Sequence, residues 1–303
     1  MEIFKKAVFV VPFLICTFLF VQQLNPFLIN PNSIFGFEQK LLIQIILLIA
    51  SLLFLGFFFV IYSALALDWR IVLPGMVLAS ILPLFLIPTP YSYILSSGLM
   101  LSFLPVYFLL ERKMGSYITF QPSQLLMPSI RQIITIVLLF ASIAFYFASD
   151  LEISTNGFKI PPELLQMSLK FMPQETSTQT QSGPTLPSIS ADQLALLKKN
   201  PDLLKQYGLD PKMLDQFANP QKPLTSQNLV GAMVEEQFQN YIDPYIQFVP
   251  IVFAVLFYLT MKFFASILAM VLPFLLWLTF FIFEKTKFTD VEIEMREVKK
   301  LVV

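Results

Sequence analysis

Histidine is absent from all 303 residues. That removes the commonest metal ligand and the commonest general base at neutral pH. The one cysteine, Cys16, excludes an intrachain disulfide and a thiolate cluster, and its place inside an apolar run suits a small packed hydrophobe. Glycine is scarce, with nine residues, and no phosphate-cradling loop, dinucleotide fingerprint or Gly-x-Ser-x-Gly elbow occurs. Charge is scarce as well, at 13% of residues against roughly 25% in soluble domains. No catalytic set, cofactor site or metal site emerges, which weighs against an enzyme. No basic patch suggests nucleic acid, and the longest polar stretch is acidic, so phosphate would repel it.

What is present is apolar chain. Hydrophobic residues make up 56% of the sequence and the mean hydropathy is +0.71, and several runs reach the roughly 20 residues needed to cross a bilayer. The expected fold is all-α, a polytopic membrane helix bundle of six or seven spans with an inserted extracytoplasmic helical segment. Five spans fall within 1–149. The first, 7–20, follows the basic pair Lys5-Lys6 and lacks a small-x-small cleavage site after it, so it reads as an uncleaved anchor. Turn residues around Pro26 and Pro31 end it. A 27-residue run at 41–67 is broken by Asp68-Trp69-Arg70, with Trp69 suited to headgroup level and Arg70 able to snorkel. Spans at 71–87 and 91–110 are separated by Pro88-Thr89-Pro90, and the fifth covers 130–149. Pro74, Pro83 and Pro105 predict kinks.

Charge sets an orientation. Residues 1–149 carry seven Lys/Arg against four acids, a net of +3, whereas 150–247 carries seven Lys against eleven acids, a net of −4. With the N-terminus in the cytoplasm, that side holds Lys5, Lys6, Arg70, Arg112, Lys113 and Arg131, and the opposite side holds Lys40 alone. The positive-inside rule then places 150–247 outside, in a protein integral to a plasma membrane. Arg112, Lys113 and Arg131 flank the loop 111–128 and are candidate contacts to lipid headgroups.

The polar segment 150–247 is composite. Residues 171–190 have the Pro, Ser, Thr, Gln and Gly content of a linker, and 190–242 reads as a run of short capped helices. Two units align at a ten-residue offset, Asn200-Pro201 to Tyr207 against Asp210-Pro211 to Phe217. Each presents an apolar pair and an aromatic at helical spacing: Leu203, Leu204 and Tyr207, then Met213, Leu214 and Phe217. Helices this short need a surface to pack on, so these six residues are candidate contacts to a protein partner or a second copy of the chain. Adjacent acids at Glu235-Glu236 point about 100° apart on a helix and read as a solvated face.

The apolar run 248–283 is too long for one untilted crossing. Either Lys262 marks the tip of a membrane hairpin, giving seven spans and an external tail, or 263–283 alone crosses and Lys285 and Lys287 lie inside. The hairpin is the preferred expectation, because the fourteen mostly apolar residues 248–261, left outside the bilayer, would need a large partner surface. The charged tail, 284–303, alternates apolar and charged residues at 291–296 and suits a short strand or a solvated end. Function follows architecture: an interaction or assembly component acting through the extracytoplasmic helices. The alternative is a channel or carrier for a neutral or lipid-like substrate, with Gln44, Ser51, Ser63, Ser80, Thr135, Ser142 and Tyr146 as the sparse polar side chains of its spans. A lipid-modifying enzyme with acidic or Arg side chains at the surface ranks third.

Overall fold

A computed structural model describes residues 8–31, 39–88, 90–116, 121–157 and 243–288. Among them every regular element is helical, and six helical stretches are long and apolar enough to cross a membrane. In chain order these are α1 (Val10–Ile29), α2 (Gln39–Ala66), α3 (Trp69–Leu86), α4 (Tyr91–Ser116), α5 (Pro122–Asn156), and a final stretch made of α6 (Val249–Leu268) and α7 (Leu272–Lys285) joined by a short 3-10 turn. The construction is that of an integral membrane protein. By contact the chain divides into residues 1–158 with 246–303 and a second unit of 159–245, of which only 243–245 are described.

The most continuously apolar run makes the central helix. Helix α2 is hydrophobic on all sides, the pattern of an element surrounded by others. It packs against α1, α3, α4, α5 and α6, with Leu52, Leu55, Phe59, Val60 and Ile61 fully enclosed. Small residues set the closest approaches. A Cβ on Gly56 would stand 3.3 Å from Ile130 of α5, and one on Gly98 would stand 2.4 Å from both Cβ and Cγ of Phe140. Aromatic rings fill the middle: Phe13 of α1 meets Phe59 at 5.4 Å and Phe103 at 5.2 Å, and Phe59 stacks on Phe103 at 4.6 Å.

Helix ends depart from the sequence-based spans where proline was given too much weight. Helix α1 continues through Pro26 to Ile29, α4 runs six residues past 110, and α5 starts at Pro122 and passes through Pro128. Pro122 occupies the first helical turn, where the missing N–H costs nothing. The expected loop at 111–128 is thus mostly helix. Helix α5 also extends to Asn156, beyond the expected end at 149. The α2–α3 break is tighter than a loop. Leu67 takes a left-handed φ of 45°, and Asp68 caps α3 by accepting from the Arg70 backbone N–H at 3.0 Å.

The expected hairpin turn at Lys262 is absent. Lys262 lies inside α6 on an exposed face, where its Nζ donates to the Tyr258 hydroxyl at 3.1 Å and sits 5.3 Å from that ring's centroid. A tyrosine one turn earlier gives the ammonium a local partner, so the lysine need not end the helix. The one irregularity is the 3-10 turn Ala269–Val271. Pro273 follows it and cannot donate to the carbonyl four residues back, at Ala269, which tightens the backbone there. Leu268, Ala269, Val271 and Leu272 all keep right-handed helical dihedrals, so the chain does not reverse. The apolar residues before Lys262 find their surface on the bundle: Phe257 stacks on Phe145 at 4.7 Å and meets Phe27 at 6.4 Å.

Candidate functional site

The candidate lipid-contact residues fall on two helices. Arg112 and Lys113 are exposed in the last turns of α4, whereas Arg131 is exposed well inside α5, about 13 Å along its axis from Pro122. The Arg131 backbone carbonyl accepts from Thr135 Oγ1 at 2.9 Å. The candidate partner residues Leu203, Leu204, Tyr207, Met213, Leu214 and Phe217 lie outside the described residues, as do the linker 171–190 and Glu235-Glu236.

Beside the α4 end runs a groove that the sequence did not reveal. It has a volume of about 350 Å³ and lies between the start of α3 and the second half of α4. Its floor is buried: Val72, Met76 and Tyr107 are at most 3% exposed. Its rim faces outward, with Trp69 and Phe108 each 55% exposed and Leu73 and Leu104 partly so. The spacing explains both walls. Trp69 and Leu73, four residues apart, share one face of α3, and Leu104, Phe108 and Arg112 recur every four residues along one face of α4. Arg112 therefore stands one turn beyond the groove on the Phe108 side. Arg70 stands at the same end on the other wall, its guanidinium carbon 5.9 Å from the Trp69 ring centroid.

Acids share this end. Asp68 is committed to the α3 cap, and Glu111 is exposed next to Arg112. Tyr107, on the groove floor, carries a hydroxyl that is buried and has no hydrogen-bond partner among the described residues. Tyr107 was not singled out from sequence, since its depth depends on how α3 and α4 are rotated against each other. Trp69 was, through its place at the α2–α3 break.

Four of the polar side chains singled out in the spans have hydrogen-bond partners. Ser51 donates to the Leu48 carbonyl at 2.7 Å, Ser142 to Leu138 at 2.8 Å and Thr135 to Arg131, each on its own helix one turn back. Ser80 reaches another helix, donating weakly to Met100 Sδ at 3.9 Å. Among the described residues no buried side chain is ionisable in the carboxylate or basic sense; the buried polar ones are Thr17 and eight serines. No group of three His, Cys, Asp or Glu side chains converges among them to hold a metal ion.

Compared with protein families, curated proteins and solved structures, the chain matches none.

Proposed function

We propose that this protein is a membrane-embedded interaction or assembly component that works through the helices of 190–242. The observation that supports this reading is the filled bundle interior. Phe13, Phe59, Phe103 and Tyr62 close the middle of the packed helices, and the Ser51 and Ser142 hydroxyls donate to carbonyls of their own helices. In this reading the bundle, closed at its centre by these rings, serves as a platform. The polar chain between α5 and α6 is then the part free to recognise something.

In this reading the six short-loop basic residues against one place the N-terminus in the cytoplasm and 150–247 outside a plasma membrane. The pairs Leu203-Leu204 and Met213-Leu214, with Tyr207 and Phe217, supply the apolar contacts to an envelope protein or to a second copy. A carrier of lipid-like molecules is the second reading, favoured by the lateral α3–α4 groove. The buried floor of that groove ends against the packed core, which favours a docked lipid over a transported one.

The test is photo-crosslinking in the native cells from positions 204 and 217. A discrete adduct that disappears when Tyr207 and Met213 are changed to Asp is the expected result. Absence of any adduct, together with flux of a neutral or lipid-like solute in liposomes holding the purified protein, would overturn the proposal in favour of the carrier.

A further inference from the structure

We infer that the outward face of α6 around Lys262 is a docking site, within the bilayer, for a membrane-spanning helix of another protein that carries an aspartate or glutamate. What the 190–242 segment contacts is independent of this site.

Lys262 is the only charged residue between Val249 and Phe283. Its neighbours fix its direction: Met261 and Ala265, 1% and 3% exposed, turn into the bundle, whereas Lys262 and Phe263 face out. Ring contacts fix its depth. Phe283 lies beside Phe9 and Phe257 beside Phe27, so the α6–α7 stretch uses about 39 Å of helix axis where α1 uses about 27 Å. The stretch therefore crosses obliquely. At that slope the apolar run from Val249 to Phe283 fills about 35 Å of depth, close to the roughly 30 Å of a bilayer core. Lys262 lies about 14 Å below the Val249 end, beyond the reach of one lysine side chain to the headgroups. Its ammonium is held instead within the span, donating to the Tyr258 hydroxyl at 3.1 Å.

An ionisable residue within a span ordinarily faces the bundle interior, a water-filled cavity or a partner. This one faces out. Tyr258, Lys262 and Ser266 follow one another at four-residue spacing, a polar line bordered by the exposed apolar side chains of Leu259, Phe263 and Ile267. A neutral phenol satisfies one ammonium proton and leaves the charge unbalanced, so the complement of this face is a carboxylate. A second copy of this chain does not bring one. The described acids Asp68, Glu111, Asp150, Glu152, Asp243 and Glu284 all stand within two turns of a helix end, and two copies meeting on this face would set lysine against lysine. The acid must come from the span of a different protein.

The probe is p-benzoylphenylalanine in place of Phe263, in the full-length protein in its native cells. Phe263 is 63% exposed beside Lys262, so the crosslinker replaces a ring that already faces out. Illumination should give one protein adduct whose crosslinked peptide is a membrane-spanning segment containing Asp or Glu. Lys262→Met keeps the apolar stem and removes the charge, and should cut the yield of that adduct about tenfold. Lys262→Arg should keep it. Lys262→Asp should abolish it, and changing the partner's acid to lysine in the same cells should restore it, which a misfolded variant would not allow. An adduct with lipid alone, with a second copy of this chain or with a segment that lacks an acid would overturn the inference. So would no adduct at all, or a yield that Lys262→Met leaves unchanged.

Discussion

The Tyr62 hydroxyl donates to the backbone carbonyl of Ile71, tying the end of α2 to the first turns of α3 across the two-residue break at Leu67 and Asp68. The ring is fully enclosed, and a Cβ on Gly75 would stand 3.1 Å from it. Tyr62→Phe keeps the packing and removes the bond, so it should lower stability by about 0.5–1.5 kcal/mol. Tyr62→Ala adds a cavity and should cost about 3–5 kcal/mol. Equilibrium unfolding in mixed micelles measures both. A loss for Tyr62→Phe as large as that for Tyr62→Ala would show that the ring's packing matters less than the hydrogen bond.

Gly98 sets the distance between α4 and α5. Its substitution by Ala puts a methyl group 2.4 Å from both Cβ and Cγ of Phe140, so the helices must separate or shift. The expected cost is about 1–3 kcal/mol by the same unfolding measurement. Adding Phe140→Ala relieves the clash with Cγ but not with Cβ, so the double variant should recover only part of the loss. Full stability of Gly98→Ala alone would refute this crossing.

The two ends of the described bundle meet. The Phe9 ring lies 5.4 Å from that of Phe283, edge to face, and Phe288 lies against both. The C-terminal end of α7 is therefore on the same side as the start of α1, as one crossing by the α6–α7 stretch requires and a hairpin forbids. In a Cys16→Ser background, Phe9→Cys with Phe283→Cys should join through a short bis-maleimide. Pairing Phe9→Cys with Val255→Cys should give no product, because Val255 lies near the Phe257 end, which packs on Phe27 and Phe145. The reverse pattern would restore the hairpin.

Much of this architecture is legible in the order of residues because lipid-crossing helices must satisfy their backbones internally and hide few charges. The run at 41–67 became α2 almost to the residue, and Asp68 both ended it and capped what followed. Proline misled at Pro26 and Pro128, since a proline inside an apolar helix of a bundle is tolerated and the helix passes through. Lysine misled at Lys262, where the preferred reading took a charge for a turn; Tyr258 one helical turn away made the turn unnecessary. The candidate contacts at Leu203 to Phe217 rest on sequence alone.

Sequence by itself determined that this is a membrane-spanning helical chain with a long polar interruption. Those properties depend on composition and period, which each segment carries independently of the others. The α3–α4 groove, the aromatic centre around Phe13 and the continuation of the last helical stretch through Lys262 were decided only by tertiary structure. Each depends on the rotation and depth of one helix against another, and in an all-apolar span no polar stripe records which face will turn inward.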